Sequence, residues 1–163
     1  MQVIKDNKII EDNWTLYSES QLESGLPEGD VLLPYRFWKE YREKLVSRAE
    51  GKIAIVVQGE DDIEEIAAVA EDFELIAIDF PAFKDGRGYS QARILRDHYH
   101  YKGDIRAVGD VLRDQLYFMQ RCGISSFLLK QDKDLEDALR GFSDFSVKYQ
   151  TAADAAPPVY RQR

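Results

Sequence analysis

Four times in this chain a short β-branched run gives way to a helical stripe, and that alternation restricts the fold more than any other feature. Ile53-Ala54-Ile55-Val56-Val57 reads as a strand. Asp62-x-x-Glu65 then opens a helix with Ile63, Ile66, Ala67 and Ala70 on one face. Leu75–Phe80 is the next strand, followed by a helix expected from about Ser90 to Tyr99 with Ala92, Leu95 and Tyr99 inward. Asp104–Val108 precedes a helix that Asp110 can cap, with Leu112, Leu116 and Met119 on one face and Gly123 at its end. Ser126–Leu129 precedes a helix carrying Leu135, Ala138, Leu139 and Phe142. Four βα units predict an α/β fold with a parallel sheet and right-handed crossovers.

The segments outside these units are simpler. Val3-Ile4, an Asp6-Asn7 turn and Ile9-Ile10 predict an N-terminal β-hairpin. Ser18 to Asp30 reads as a loop, and Pro34 opens a helix running to about Ala49, with Gly51 as its stop. Phe145, Val147 and Tyr149 alternate as an edge strand or docking arm would. At 163 residues the chain is expected to form a single α/β domain over 1–150, with 151–163 as a flexible tail.

The strand faces discriminate between two sheet architectures. Ile76, Ile78 and Phe80 form a bulky face, whereas Leu75, Ala77 and Asp79 form a smaller, more polar one, and Arg106 sits in mid-strand. A flavodoxin-like sheet, covered on both sides, should be apolar on both faces. One bulky face and one bearing Asp and Arg favours a TIM-like half-barrel, helices outside and polar groups near the inner mouth. Its open edges need the hairpin, the C-terminal segment or a second subunit, so a homodimer is one expectation.

Charge narrows the partners. The net charge is −8, which argues against general nucleic-acid binding. Between Lys84 and Arg121, however, eight Lys/Arg stand against five Asp, a basic island suited to a local anion or to helix-surface ion pairing. No apolar run approaches the roughly 20 residues of a membrane span. The N-terminus has no signal-peptide layout and there is one cysteine, which together lead to the expectation of a cytoplasmic protein without membrane partners.

Chemistry is expected where the second predicted strand hands over to its helix. Lys84, Gly86, Arg87, Gly88, Ser90 and Arg93 could form an oxyanion cradle there, supported by Asp85, because glycines let the backbone approach and helix N–H groups meet anions. The spacing matches neither the P-loop nor the dinucleotide fingerprint. Arg106, Asp110, Arg113, Asp114 and Gln115 lie at the next strand and helix start and should face the first set. Asp79 could orient an arginine or act as a base. For Asp110 an N-cap is the favoured role. His98 and His100 lack a third ligand of suitable spacing, so no metal is assigned, and Cys122 reads as a core residue.

The segments Asp79–Ser90, Ile105–Gln115 and Arg121-Cys122-Gly123, with Arg93, closely resemble a bacterial family, domain-of-unknown-function family nine hundred thirty-four, over roughly Leu33 to Gln150. The resemblance implies a role in assimilatory sulfite reduction, within sulfate assimilation and cysteine biosynthesis. Family members are described as candidate oxidoreductases encoded beside sulfite reductase. It implies sulfite reductase as a partner and a sulfur oxyanion or nucleotide-linked sulfur intermediate as ligand. The chain shows no nicotinamide or flavin fingerprint, cysteine pair or metal set, so the cofactor is unknown. Three expectations follow: an accessory protein binding the oxyanion or the reductase, a half-barrel enzyme using Asp79 as base on a small anionic substrate, or a non-catalytic dimerisation module.

Overall fold

In the computed structural model, residues 1–25, 28–48, 50–81, 86–130 and 133–149 are described, with side chains to residue 142. Eight strands form one sheet in the order β2-β1-β8-β7-β6-β5-β4-β3. Strands β3 (Thr15–Leu16), β4 (Val31–Pro34), β5 (Ile53–Val57), β6 (Leu75–Phe80), β7 (Asp104–Gly109) and β8 (Ser126–Phe127) are mutually parallel. The hairpin β1 (Gln2–Lys5) and β2 (Lys8–Glu11) adds antiparallel to β8. Its turn residues Asp6 and Asn7 have φ of 54° and 59°, the left-handed pair a two-residue hairpin turn needs.

The sheet is curled into a half-barrel with helices between the strands, as the strand faces predict. The length of one connection requires the curl. At 4.7–4.9 Å per strand, eight flat strands would hold the outer two about 33 Å apart. Residues 12–14 alone connect β2 at one edge to β3 at the other, and such a link spans at most about 14 Å. Only curvature brings the edges that close.

Two clusters follow from strand alternation. On the outer face Leu33, Ile55, Ile76, Ile78, Phe80, Ile105 and Phe127 pack against helix residues including Trp38, Ile66, Leu95, Met119 and Phe142. On the inner face Leu32, Ala54, Val56, Leu75, Ala77 and Val108 are covered by Met1, Trp14 and Leu128. The small alanines at the centre suit the concave side of a tight curve.

The floor of the inner face carries charge. Arg106 is 2% exposed. Its Nη2 lies 2.7 Å from Asp12 Oδ2 and 3.4 Å from Asp104 Oδ2, and its Nε donates to Ser126 Oγ at 2.8 Å. Asp12 belongs to the strap that joins the sheet edges, and its Oδ1 accepts from the Trp14 N–H at 3.2 Å. The strap is thus fastened to the centre of the sheet by an ion pair.

Several local expectations are corrected. There are six strand–helix units rather than four, because Thr15–Leu16 and the buried Val31–Pro34 are also parallel strands that each lead into a helix. Pro34, with φ −52° and ψ 137°, both ends β4 and precedes a helix, which hid the strand. That helix divides at Tyr41 into α2 (Tyr35–Glu40) and α3 (Arg42–Val46), and the expected loop before it holds a short α1 (Glu19–Leu22). Asp62 caps α4 (Ile63–Val69) through the Glu64 and Glu65 N–H groups, as expected. The next helix, α5 (Arg87–Arg93), starts three residues early and continues as a π turn over Ile94–His98. Asp110 is not at a helix N-cap: a 3-10 turn spans Arg113–Gln115 with Leu112 before it, and Gln115, whose side chain makes no cap hydrogen bond, precedes α6 (Leu116–Arg121). The helix α7 (Leu135–Tyr149) runs through the segment expected to be an edge strand. The tail 151–163 lies outside the described residues. Among the described residues no helix is long and apolar enough to cross a membrane.

Removing the strap's carboxylate while leaving the buried guanidinium should be expensive. Breaking a fully buried pair typically costs about 3–5 kcal/mol. Asp12 is 19% exposed and Asp104 remains, so Asp12→Ala should destabilise by about 2 kcal/mol in urea unfolding. Much of that should return in the double variant Asp12→Ala/Arg106→Met. Equal stability of Asp12→Ala and the wild type would refute the fastening.

Candidate active site at the mouth of the half-barrel

All the parallel strands end on one edge, and two cavities open there. One, about 360 Å³, is bounded by Leu16, Tyr17, Ser18, Pro34, Val56, Gln58, Asp79, Val108 and Gly109, with Glu19 and Gln21 of α1 above. The other, about 620 Å³, is bounded by Met1, Gln2, Leu128, Leu129, Lys130, Lys133 and Leu135, and shares Leu16 and Gly109 with the first. In barrels of this kind the C-terminal mouth is where ligands bind, since strand-end loops converge there.

Asp79, next to last in β6, points to the inner side because its neighbours Ile78 and Phe80 point to the helices. It is half-buried, and among the described residues its carboxylate has no hydrogen-bond or ion-pair partner. Burial pushes its pKa above the usual 3.8, and the Glu60 charge pushes it further. Gly109 makes this possible. Its φ is +90°, and a Cβ there would lie 2.5 Å from both Asp79 Oδ1 and the Phe80 carbonyl oxygen. The chain can therefore turn directly beside the carboxylate, and the Asp110 N–H closes the turn on the Phe80 carbonyl at 2.7 Å.

The rim over β5 is held by an internal network. Arg36 donates to Gln58 Oε1 at 2.7 Å, pairs with Glu60, and lies 3.7 Å from Asp61. The Asp61 carboxylate accepts from the Gln58 N–H at 2.8 Å; burial raises its pKa, with that hydrogen bond and Arg36 opposing. Gln91 donates to the Gln58 carbonyl at 2.9 Å. On the opposite rim, Lys130 Nζ sits 3.3 Å from Asp110 Oδ1, and Lys133 has no ion pair among the described residues.

The residues expected to form an oxyanion cradle separate in space. Lys84 and Asp85 lie outside the described residues. Arg87 is exposed, its guanidinium stacked over the β5–α4 loop so closely that a Cβ on Gly59 would lie 2.6 Å from its Cζ. Gly86 is the N-cap of α5 and borders open space. Gly88 serves packing, since a Cβ there would meet the Phe80 ring at 2.6 Å. Ser90 is inside the helix and its N–H is spent on the Gly86 carbonyl at 3.3 Å, because the helix starts before it. Arg93 pairs along the helix with Asp97 at 3.7 Å. Arg106 is in the floor, not at the mouth. Arg113 donates through Nε to the Asp137 carbonyl at 3.0 Å, tying its turn to α7, with exposed Asp114 beside it and Gln115 at the start of α6. Cys122 is buried, and the His98 ring packs on Tyr99 at 4.7 Å. Of the two sets, Asp79 lines the mouth and Asp110 joins its rim through Lys130.

Gln58, Gly109, Lys130 and Lys133 line the mouth and are not among the residues expected from the sequence. The signal was positional: Gln58 and Lys130 directly follow predicted strands.

A raised carboxylate has a measurable consequence for stability. The folded state holds Asp79's proton more tightly than the unfolded chain does. The stability linked to this group is therefore full below the carboxylate range and is lost as pH rises through its folded midpoint. Asp79→Asn escapes that loss. Its melting temperature should equal or exceed the wild type's at neutral pH, with the gap closing below about pH 4. A variant less stable at neutral pH would show that the carboxylate has a stabilising partner.

Two comparisons, with curated proteins and with solved structures, give no significant match. A family model described as "Bacterial protein of unknown function (DUF934)" matches residues 54–160, a range that includes Asp79, Gly109, Lys130 and Lys133. The chain therefore belongs to the bacterial DUF934 family.

Proposed function

We propose that this protein is a half-barrel enzyme that binds an anionic substrate in the mouth and moves a proton through Asp79. The observation that carries the reading is the half-buried Asp79 carboxylate facing a cavity with no partner among the described residues. A carboxylate held above its ordinary pKa is a stronger base once ionised, and can return the proton later as an acid. The Glu60 charge works in the same direction. Lys130 and Lys133 in the adjoining cavity supply the positive charge that an anionic substrate needs.

The biological setting proposed is sulfur assimilation at the stage of sulfite reduction. What supports it is the likeness of the Asp79–Ser90 and Ile105–Gln115 segments to the family's motif blocks. An accessory, non-catalytic role beside sulfite reductase is the second reading. It is favoured by Phe118, 67% exposed on α6 and edge-on to Tyr89 at 6.3 Å, an aromatic pair open to a protein partner.

The two readings part at one substitution. In a bacterium lacking its own copy, the wild-type gene should restore growth on sulfate, and Asp79→Asn should not, although it folds. With purified protein the substitution should lower kcat/KM by about 10²–10⁴-fold. The wild-type rate should rise with pH through a midpoint above 3.8, since only the ionised carboxylate accepts a proton. Full growth with Asp79→Asn would exclude the acid–base role and favour the accessory one.

A further inference from the structure

We propose that the mouth takes a two-ended organic molecule: an anionic group at Lys130 and Lys133, an apolar stretch over Leu16 and Gly109, and a proton-bearing cationic or acidic group at Asp79. This rests on the reading of the mouth as the active site and names its substrate class.

The charge distribution carries the inference. At the β6 end the groups are negative: Asp79 itself, Glu19 of α1 lining the same cavity, and Glu60, whose field acts on Asp79. A bare oxyanion placed there meets repulsion from like charges. At the β8 end two lysines line the cavity against one nearby carboxylate: Lys130 pairs with Asp110 at 3.3 Å, and Lys133 has no ion pair among the described residues. Strand β7 lies between β6 and β8, so the two ends are about 10 Å apart, two strand spacings. An oxyanion held at the β8 end is then set off from the Asp79 strand end by the width of β7. Between the ends the cavities share Leu16 and Gly109, with Val108 on one side and Leu128 on the other, a lining that offers an ion nothing. Volumes of about 360 and 620 Å³ match those of organic ligands.

A chain-length series tests this directly. The ω-aminocarboxylates, from glycine through aminohexanoate to aminooctanoate, carry a carboxylate for the lysines, methylenes for the apolar centre and an ammonium for Asp79. Titrated into ¹⁵N-labelled protein, they should show an affinity maximum at intermediate length, with amide shifts at Gly109 and Lys130 moving together. Lys130→Gln/Lys133→Gln and Asp79→Asn should each weaken the best binder by about tenfold or more. Lys133→Gln alone, which leaves the Lys130–Asp110 pair in place, should weaken it less. Affinity independent of length, or unchanged in the double lysine variant, overturns the two-ended substrate. That result can occur while Asp79→Asn still abolishes growth on sulfate, so failure of this proposal and failure of the acid–base reading are told apart.

Discussion

Three residues, Asp12-Asn13-Trp14, carry the chain from one edge of an eight-stranded sheet to the other, and the architecture follows from that short tether. It forces the sheet to curl, and curling divides the faces into a helix-covered outside and a narrow inside. Within that inside, Asp12 meets Arg106 at 2.7 Å and Trp14 covers the alanine-rich centre. A buried ion pair is a poor source of net stability, since desolvation offsets its attraction. Its value here is positional: Arg106 has one place to find carboxylates, so the strap has one place to lie.

The inner face is consequently polarised along the strands. At the N-terminal end charges are matched, with Arg106, Asp104, Asp12, Ser126 and Lys5 in contact with one another. At the C-terminal end Asp79 has no partner among the described residues, and the charges near it, Glu60 and the cavity-lining Glu19, are of its own sign. Groups that stabilise the fold and a group that burdens it thus share one sheet face. A local rule broken at a cavity, with consistency elsewhere, is the pattern expected where stability yields to function.

Much of the fold was legible in the sequence. Asp6-Asn7 between apolar pairs specified the hairpin, and the unequal faces of Leu75–Phe80 specified a curled sheet with helices outside. Strand β4 was hidden because three apolar residues lead into a proline that also begins a helix. The site was legible only in part. Periodicity tells which face a side chain takes, and so found Asp79. It does not tell the height along the strand at which a long side chain ends. Arg106 is the third residue of β7 and reaches the floor, so it could not join a cradle at the mouth. Its partner Asp12 is far away in sequence, and nothing local announces the pair. Ser90 was expected at a helix start, but Gly86 accepts the cap position and the helix begins earlier.

The proposed chemistry of the mouth depends on the state of one carboxylate. A ¹³C NMR titration of the Asp79 side chain in the wild-type protein and in Glu60→Gln measures it. A midpoint above 3.8 that falls when Glu60 loses its charge is the result predicted. A midpoint at or below 3.8 would mean that Asp79 is solvated or paired, and would contradict its assignment as the proton-transferring group of the mouth.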